Sequence, residues 1–197
     1  EFLRMRPWNA RAFDWPRWFG TFPTMLTPEE MRMLAFLAGA SPLPEGAYYD
    51  LGCFLGGSSV ALGWGLGSQA PMAGGTPVRR PEQILTHDLF VANDAQKEKY
   101  LYAKGHPHYA PSNTLPLFRK LTAGFPIRAQ KGDIRKVVPE EPIALMFNDL
   151  SKSWAINDHL VQTFFPRLVP GAVLVQQDFM FFKNPWVAAT MHKLRDA

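Results

Sequence analysis

Ala47-Tyr48-Tyr49-Asp50-Leu51-Gly52-Cys53-Phe54-Leu55-Gly56-Gly57-Ser58-Ser59 reads as a short buried strand that ends in an acid and breaks into a glycine-rich turn. Small and apolar residues from Val60 to about Leu66 then predict a helix. Strand, turn and helix in that order open an α/β unit. The turn is not the Gly-x-Gly-x-x-Gly dinucleotide pattern, and no Lys-Ser/Thr follows it as in a phosphate-cradling loop. Taken as residues alone, Gly52-x-x-x-Gly56-Gly57 fits a tight structural turn as well as a loop that meets a ligand with its backbone. Ser58 and Ser59 read as helix N-cap residues rather than nucleophiles, because Gly-x-Ser-x-Gly is lacking.

The pattern continues on both sides. Upstream, Thr27-Pro28 with Glu30 forms a capping box with proline at the first helical position. Met31, Leu34, Phe36 and Leu37 follow at helical spacing until Gly39, and Ser41-Pro42-Leu43-Pro44-Glu45-Gly46 ends that helix. Downstream, the segment 67–83, with Pro71, Gly74, Gly75, Pro77 and Pro81, reads as a surface insertion. A second buried strand, 84–88, ends in Asp88. Helices are predicted over 94–103 and 115–122, with a proline-bracketed loop between them, and a third strand over 125–131 before Gly132-Asp133. Ile143-Ala144-Leu145-Met146-Phe147 is an unbroken apolar run, as in a strand covered on both faces. Ser153 caps a helix that ends at Pro166 and Pro170-Gly171. The fifth strand, 172–176, reaches Gln177-Asp178, and a last helix spans 185–194. Alternating strands and helices predict an α/β Rossmann-like three-layer sandwich with a mainly parallel sheet over residues 27–197.

Composition narrows the function classes. With 47% hydrophobic and only 19% charged residues, the 197-residue chain has material for one sizeable core, and disorder is excluded as its main state. No run of ~18 apolar residues predicts a membrane span, so no membrane partner is expected. The single cysteine, Cys53, excludes an internal disulfide and a cysteine-based zinc site. The net charge is +4 and the basic residues are dispersed, with no polycationic tail, so no nucleic-acid partner is expected. The opening residues lack the apolar core of a secretion signal, and cytoplasmic is the expected location. Residues 1–26 form an aromatic-basic arm in which Trp8, Phe13, Trp15, Trp18, Phe19 and Phe22 alternate with Arg4, Arg6, Arg11 and Arg17. Such an arm packs on the core or a neighbouring subunit, or serves as a lid over a substrate.

The chemistry-bearing residues cluster by position. Asp50, Asp88, Asp149 and Asp178 fall at the carboxyl ends of four predicted strands, and Asp133 follows a fifth. In an open parallel sheet the crevice beyond those ends is where ligands bind, so the row of acids predicts a site. His106-x-His108 has no further clustered ligands beside it and predicts no metal pair, and His87 and His159 read as structural or surface groups.

The segment from Tyr49 to Ser58 resembles the first motif of class I S-adenosylmethionine-dependent methyltransferases, in an acid-x-Gly-x-x-x-Gly-x-Ser variety. The stretch from Ile143 to Phe179 is similar to the second half of the small-molecule O-methyltransferases of the macrocin and sugar type. There Phe147-Asn148-Asp149 resembles the "Ile-Asp-Gly" segment, 165–175 the "Leu-x-Pro-Gly-Gly" segment, and Gln177-Asp178-Phe179 the "His-Asp-Tyr" segment. The resemblance covers roughly residues 27–185 and implies S-adenosyl-L-methionine as cofactor. Asp50 and Gly52 would line its methionine end, Gly56 and Ser58 would also bind it, and Asp88 would accept both ribose hydroxyls. Asp133 would meet the adenine amino group, Ile134 would pack on the ring, and Asp149 would lie beneath the sulfonium.

The resemblance also implies that Asp149 and Asp178 are the candidate ligands of a Mg²⁺ ion, although Gln177 and Phe179 leave one expected carboxylate missing. Lys152 stands where many relatives carry a catalytic His or Asp. Asp149 and Lys152 are therefore the catalytic candidates, with an ion pair to Asp149 or Asp158 as the structural reading of Lys152. The implied activity is O-methylation of a small-molecule hydroxyl. The alternative is a catalytically inactive methyltransferase-like protein that binds cofactor or partner; a dinucleotide enzyme is disfavoured by the glycine spacing. The sequence stops at Asp196-Ala197, about where the antiparallel hairpin that usually closes this fold would begin. The edge is either absent, supplied by a partner or trimmed from a longer protein, and an exposed last strand predicts a homo-oligomer.

Overall fold

The computed structural model describes residues 2–10, 13–39, 43–67 and 81–194. Arg11, the Ser41-Pro42 turn, most of the predicted 67–83 insertion and Asp196-Ala197 lie outside the described residues. Five parallel strands form one sheet: β1 (Ala47–Leu51), β2 (Ile84–Asp88), β3 (Ile127–Lys131), β4 (Ile143–Asn148) and β5 (Leu168–Gln176). Their order is β3-β2-β1-β4-β5, so the chain reverses direction of build between β1 and β4. That is the switch point at which such sheets bind ligands. The helices are α1 (Pro28–Gly39), α2 (Gly57–Gly67), α3 (Asp94–Tyr100), α4 (Leu115–Leu121), α5 (Trp154–Thr163) and α6 (Pro185–Leu194).

The capping box predicted for α1 is formed: Glu30 N–H donates to Thr27 Oγ1 at 3.2 Å and Thr27 N–H to Glu30 Oε2 at 2.7 Å. On one face of the sheet, α1 and α2 pack with Tyr48, Leu145 and Phe147. The helices approach so closely that a Cβ on Gly65 would lie 2.1 Å from the Ala35 carbonyl oxygen. On the other face, Leu51, Met146, Leu160 and Phe164 make a second cluster under α5. Every residue of β4 is buried, as its unbroken apolar run requires.

The arm joins the first of these clusters. Trp8 and Phe19 are buried in it, Trp15 donates from Nε1 to the Trp8 carbonyl at 2.7 Å, and Arg6 pairs with Glu29 at 3.0 Å. Among the described residues no helix is long and apolar enough to cross a membrane.

Several boundaries differ from expectation; β3, for one, starts at Ile127 and not at 125. α2 starts at Gly57, because Ser58 and Ser59 are its first turn and not its cap. β5 starts at Leu168, since a register shift opposite Ile143 and Leu145 lets the strand run through Pro170-Gly171. α3 ends at Tyr100 and a separate 3₁₀ turn, Tyr102–Lys104, follows before Gly105, whose φ is +78°. The β3–β4 connection carries only a 3₁₀ turn, Ile134–Lys136, in place of a full crossover helix. A cavity of about 340 Å³ therefore opens on that face, lined by Tyr49, His87, Arg128, Gln130, Lys136 and Glu141.

Candidate functional site

Four hydrogen bonds just past the strand ends set the five tips in line. Gly132 N–H donates to the Asp88 carbonyl, Gly52 to His87, Asp149 to Leu51 and Gln177 to Asn148, at 2.8–3.0 Å. Asp133, Asp88, Asp50, Asp149 and Asp178 are thereby carried on one rim of the sheet, at the ends of β3, β2, β1, β4 and β5.

Asp50 is fully buried. Its Oδ2 accepts from Ser58 Oγ at 2.9 Å and, in a shorter bond, from Ser59 Oγ, both on the first turn of α2. Its Oδ1 is buried with no hydrogen-bond partner. Burial pushes this carboxyl up to about 7; the two serine hydroxyls oppose the shift, and the charges of Asp88 and Asp149 reinforce it. A buried carboxylate oxygen without a partner is uncommon in a folded chain.

Asp88 ties the glycine turn to β2. Its Oδ2 accepts from Phe54 N–H at 2.9 Å and its Oδ1 from Phe90 N–H at 2.6 Å. Both phenylalanines have left-handed backbones, with φ of +52° and +51°. Burial raises the Asp88 pKa and the two amides partly offset the rise.

The glycines have reasons internal to the protein. Gly52 has φ of +92°, and a Cβ there would lie 2.9 Å from the Asp149 backbone. Gly56 has φ of +100°, and its Cβ would meet Thr122 and Phe118. Of the two readings of this turn, the tight structural one accounts for Gly52 and Gly56. Ser58 likewise turns its hydroxyl to Asp50.

Lys152 spans the other end of the rim. Its Nζ lies 2.5 Å from Asp149 Oδ1 and 2.5 Å from Asp178 Oδ2. Asp149 is raised to about 6 by burial, with Lys152 opposing and Asp178 and Asp88 adding to the shift. For Lys152, burial works downward, but the two carboxylates more than offset it and its pKa is raised. The pair with Asp149 is the structural reading expected for Lys152, and the raised pKa keeps it in its ammonium form. The two candidate metal ligands, Asp149 and Asp178, do come to one point, where the Lys152 ammonium bridges them.

One further expectation changes. Ile134 is 3% exposed and packs in the cluster with Leu51 and Met146, so it forms core and not a wall for an adenine ring. Asp133 is forked to Arg135, with Nη2 to Oδ2 at 2.6 Å, and this hydrogen bonding holds its pKa down at about 2. His87 and His159 bond through Nε2 to the carbonyls of Gly132 and Val137, in line with the structural reading.

Residues that sequence reasoning passed over hold the β4 loop. Asn148 Nδ2 donates to Ser151 Oγ at 2.8 Å and to Gln176 Oε1 at 2.9 Å, and Trp186 Nε1 donates to the Ser151 carbonyl at 2.7 Å. The one sequence signal for Asn148 is a polar residue closing an otherwise apolar strand.

No family model and no curated protein matches the sequence. Solved structures do match. The O-methyltransferase NovP aligns at a TM-score of 0.57 with 13% identity, over 88% of this chain and 73% of that one. The fold is that of the class I methyltransferases. A methyltransferase from Podospora anserina, PaMTH1, bound to SAH, shares this methyltransferase fold at a TM-score of 0.52 with 13% identity, over 91% of this chain and 68% of that one. The apo form of CalS11, a TDP-rhamnose 3'-O-methyltransferase of calicheamicin biosynthesis, does so at 0.51 with 19% identity, over 83% and 67%. The acid rim lies at the carboxyl ends of the strands, the edge at which open α/β sheets in general bind ligands.

Proposed function

We propose that the chain binds S-adenosyl-L-methionine and methylates a hydroxyl oxygen of a small molecule. The observation that carries this reading is the buried, half-satisfied carboxylate of Asp50, with Asp88 and Asp149 close enough to raise its pKa. Carboxylates crowded in this way favour a cationic ligand, because a positive charge relieves both their repulsion and their desolvation. The cofactor, when bound, supplies a methyl group made electrophilic by a positively charged sulfur.

Asp50 Oδ1 offers an acceptor to a cofactor N–H. Asp88, already fixed by two amides, offers its remaining lone pairs to the ribose hydroxyls. Asp133 marks the adenine end of the rim at the tip of β3. Asp149, raised toward neutrality, takes the proton that an acceptor hydroxyl gives up as its oxygen bonds to the methyl carbon and the carbon–sulfur bond breaks. Positioning the two reactants supplies much of the rate. The β5 strand has no neighbour on its outer side among the described residues. We propose pairing with a second copy there, to be checked by light scattering, where a clean monomer would count against it.

The test of function is incubation with methyl-labelled cofactor and a panel of sugars and phenols, followed by mass spectrometry. Transfer of the label to an oxygen supports the reading. Cofactor binding with no transfer to any acceptor supports the inactive alternative, and no cofactor binding removes both.

A further inference from the structure

We infer that Lys152 is a built-in counter-cation: its ammonium, held between Asp149 and Asp178, takes the place a divalent ion would need and makes the rim metal-free. The inference concerns the acceptor end of the site proposed above and rests on that reading for its meaning, but its test does not involve methyl transfer.

The distances make the two cations mutually exclusive. Asp149 Oδ1 and Asp178 Oδ2 both lie 2.5 Å from Nζ, so an ion bound to the same two oxygens would sit on the ammonium. Divalent ions bind oxygen at about 2.0–2.6 Å and want six or more oxygen ligands. The neighbouring amides do not complete such a set. Asn184 turns its Nδ2 toward Asp178 Oδ2 at 3.3 Å. Asn148 donates from Nδ2 to Ser151 and Gln176, and its Oδ1 accepts from Leu150 N–H at 3.1 Å. Gln177 directs Nε2 at Glu30 Oε1, at 3.5 Å.

The ammonium is placed by the chain. A turn in which Lys152 N–H reaches the Leu150 carbonyl at 2.6 Å sets the three-residue spacing to Asp149, and Ser153 then caps α5. Asp178 comes to the same point from the end of β5, in a left-handed conformation with φ of +58°. Lys152 is half exposed, and two of its three N–H bonds are taken by Asp149 and Asp178, which leaves one for an acceptor oxygen. That third N–H can hydrogen-bond the acceptor oxygen, the service a bound metal gives in other enzymes.

The test is a Mn²⁺ titration of the full chain followed by electron paramagnetic resonance, with Lys152→Met, Lys152→Arg and the double variant Lys152→Met/Asp178→Asn. The wild-type protein and Lys152→Arg are expected to leave Mn²⁺ free. Lys152→Met is expected to bind it at least about tenfold more tightly, because two freed carboxylates then face one another. The double variant should lose that gain. A wild-type protein that binds one Mn²⁺, with the binding abolished in Asp149→Asn, would overturn the inference. So would a Lys152→Met protein that melts like wild type yet gains no affinity.

Discussion

The backbone amide of Phe54 donates to the carboxylate of Asp88 at 2.9 Å, across 34 residues of sequence. That bond joins the turn after β1 to the tip of β2. Through the second amide, of Phe90, the same carboxylate holds the chain leaving β2 as well. Each of these phenylalanines is left-handed, a conformation that costs a non-glycine residue about 1–2 kcal/mol.

Replacing Asp88 should therefore loosen the rim before it alters any chemistry. Asp88→Ala leaves two amides without their acceptor and is expected to lower stability by about 2 kcal/mol. Asp88→Asn keeps one acceptor oxygen and should lose less. Chemical denaturation of both variants checks the order, and equal stability in all three proteins would contradict it.

The raised acids set a pH dependence with a definite sign. Asp50 at about 7 and Asp149 at about 6 lie above the ordinary 3.8, so the folded protein takes up protons that the unfolded chain does not. The cofactor-free protein should accordingly become more stable as pH falls through that window and less stable as it rises. Binding of a cationic cofactor should do the reverse, driving protons off. Calorimetry at about pH 6.5 in buffers of different ionisation heat should register net proton release. The neutral-sulfur product should release fewer.

The α1–α2 contact tolerates no added carbon at Gly65. Gly65→Ala would place Cβ against the Ala35 backbone, which has no flexible end to give way, and a loss of about 2 kcal/mol or more is expected. Gly67→Ala meets nothing within 4 Å and should stay within about 0.5 kcal/mol of the parent. Melting temperatures of the two variants separate these outcomes.

Burial of Phe19 assigns the arm to the core. It is 2% exposed and lies edge-on to Trp18 at 4.7 Å and to Trp64 at 6.0 Å. Phe19→Ala should cost about 3–5 kcal/mol. A lid would behave differently: its melting temperature would hold while cofactor exchange accelerated.

The element order was legible because each cue is local. The Thr27–Glu30 box, the apolar run at 143–147 and the glycine and proline breaks all act within a few residues. The acids could be placed for the same reason, since each closes a strand. Of what the acids touch, the Lys152–Asp149 pair was legible at three-residue spacing. The other contacts were not, because spacing along the chain gives no sign of them. Asp178 reaches Lys152 from 26 residues away, and Arg135 takes the Asp133 carboxylate by a local fold-back that spacing does not announce. Ile134 became core because the short β3–β4 connection collapses against the cluster under α5. Gly52 and Gly56 are small for the sake of Asp149, Phe118 and Thr122, none of them a sequence neighbour.

The most direct measurement is isothermal titration of S-adenosylmethionine into the wild-type protein, Asp50→Asn and Asp88→Ala. Saturable binding to the wild type is expected, weakened at least about tenfold, or ~1.4 kcal/mol, in each variant that still folds. No heat of binding to the wild-type protein, or undiminished affinity in both folded variants, would contradict the account.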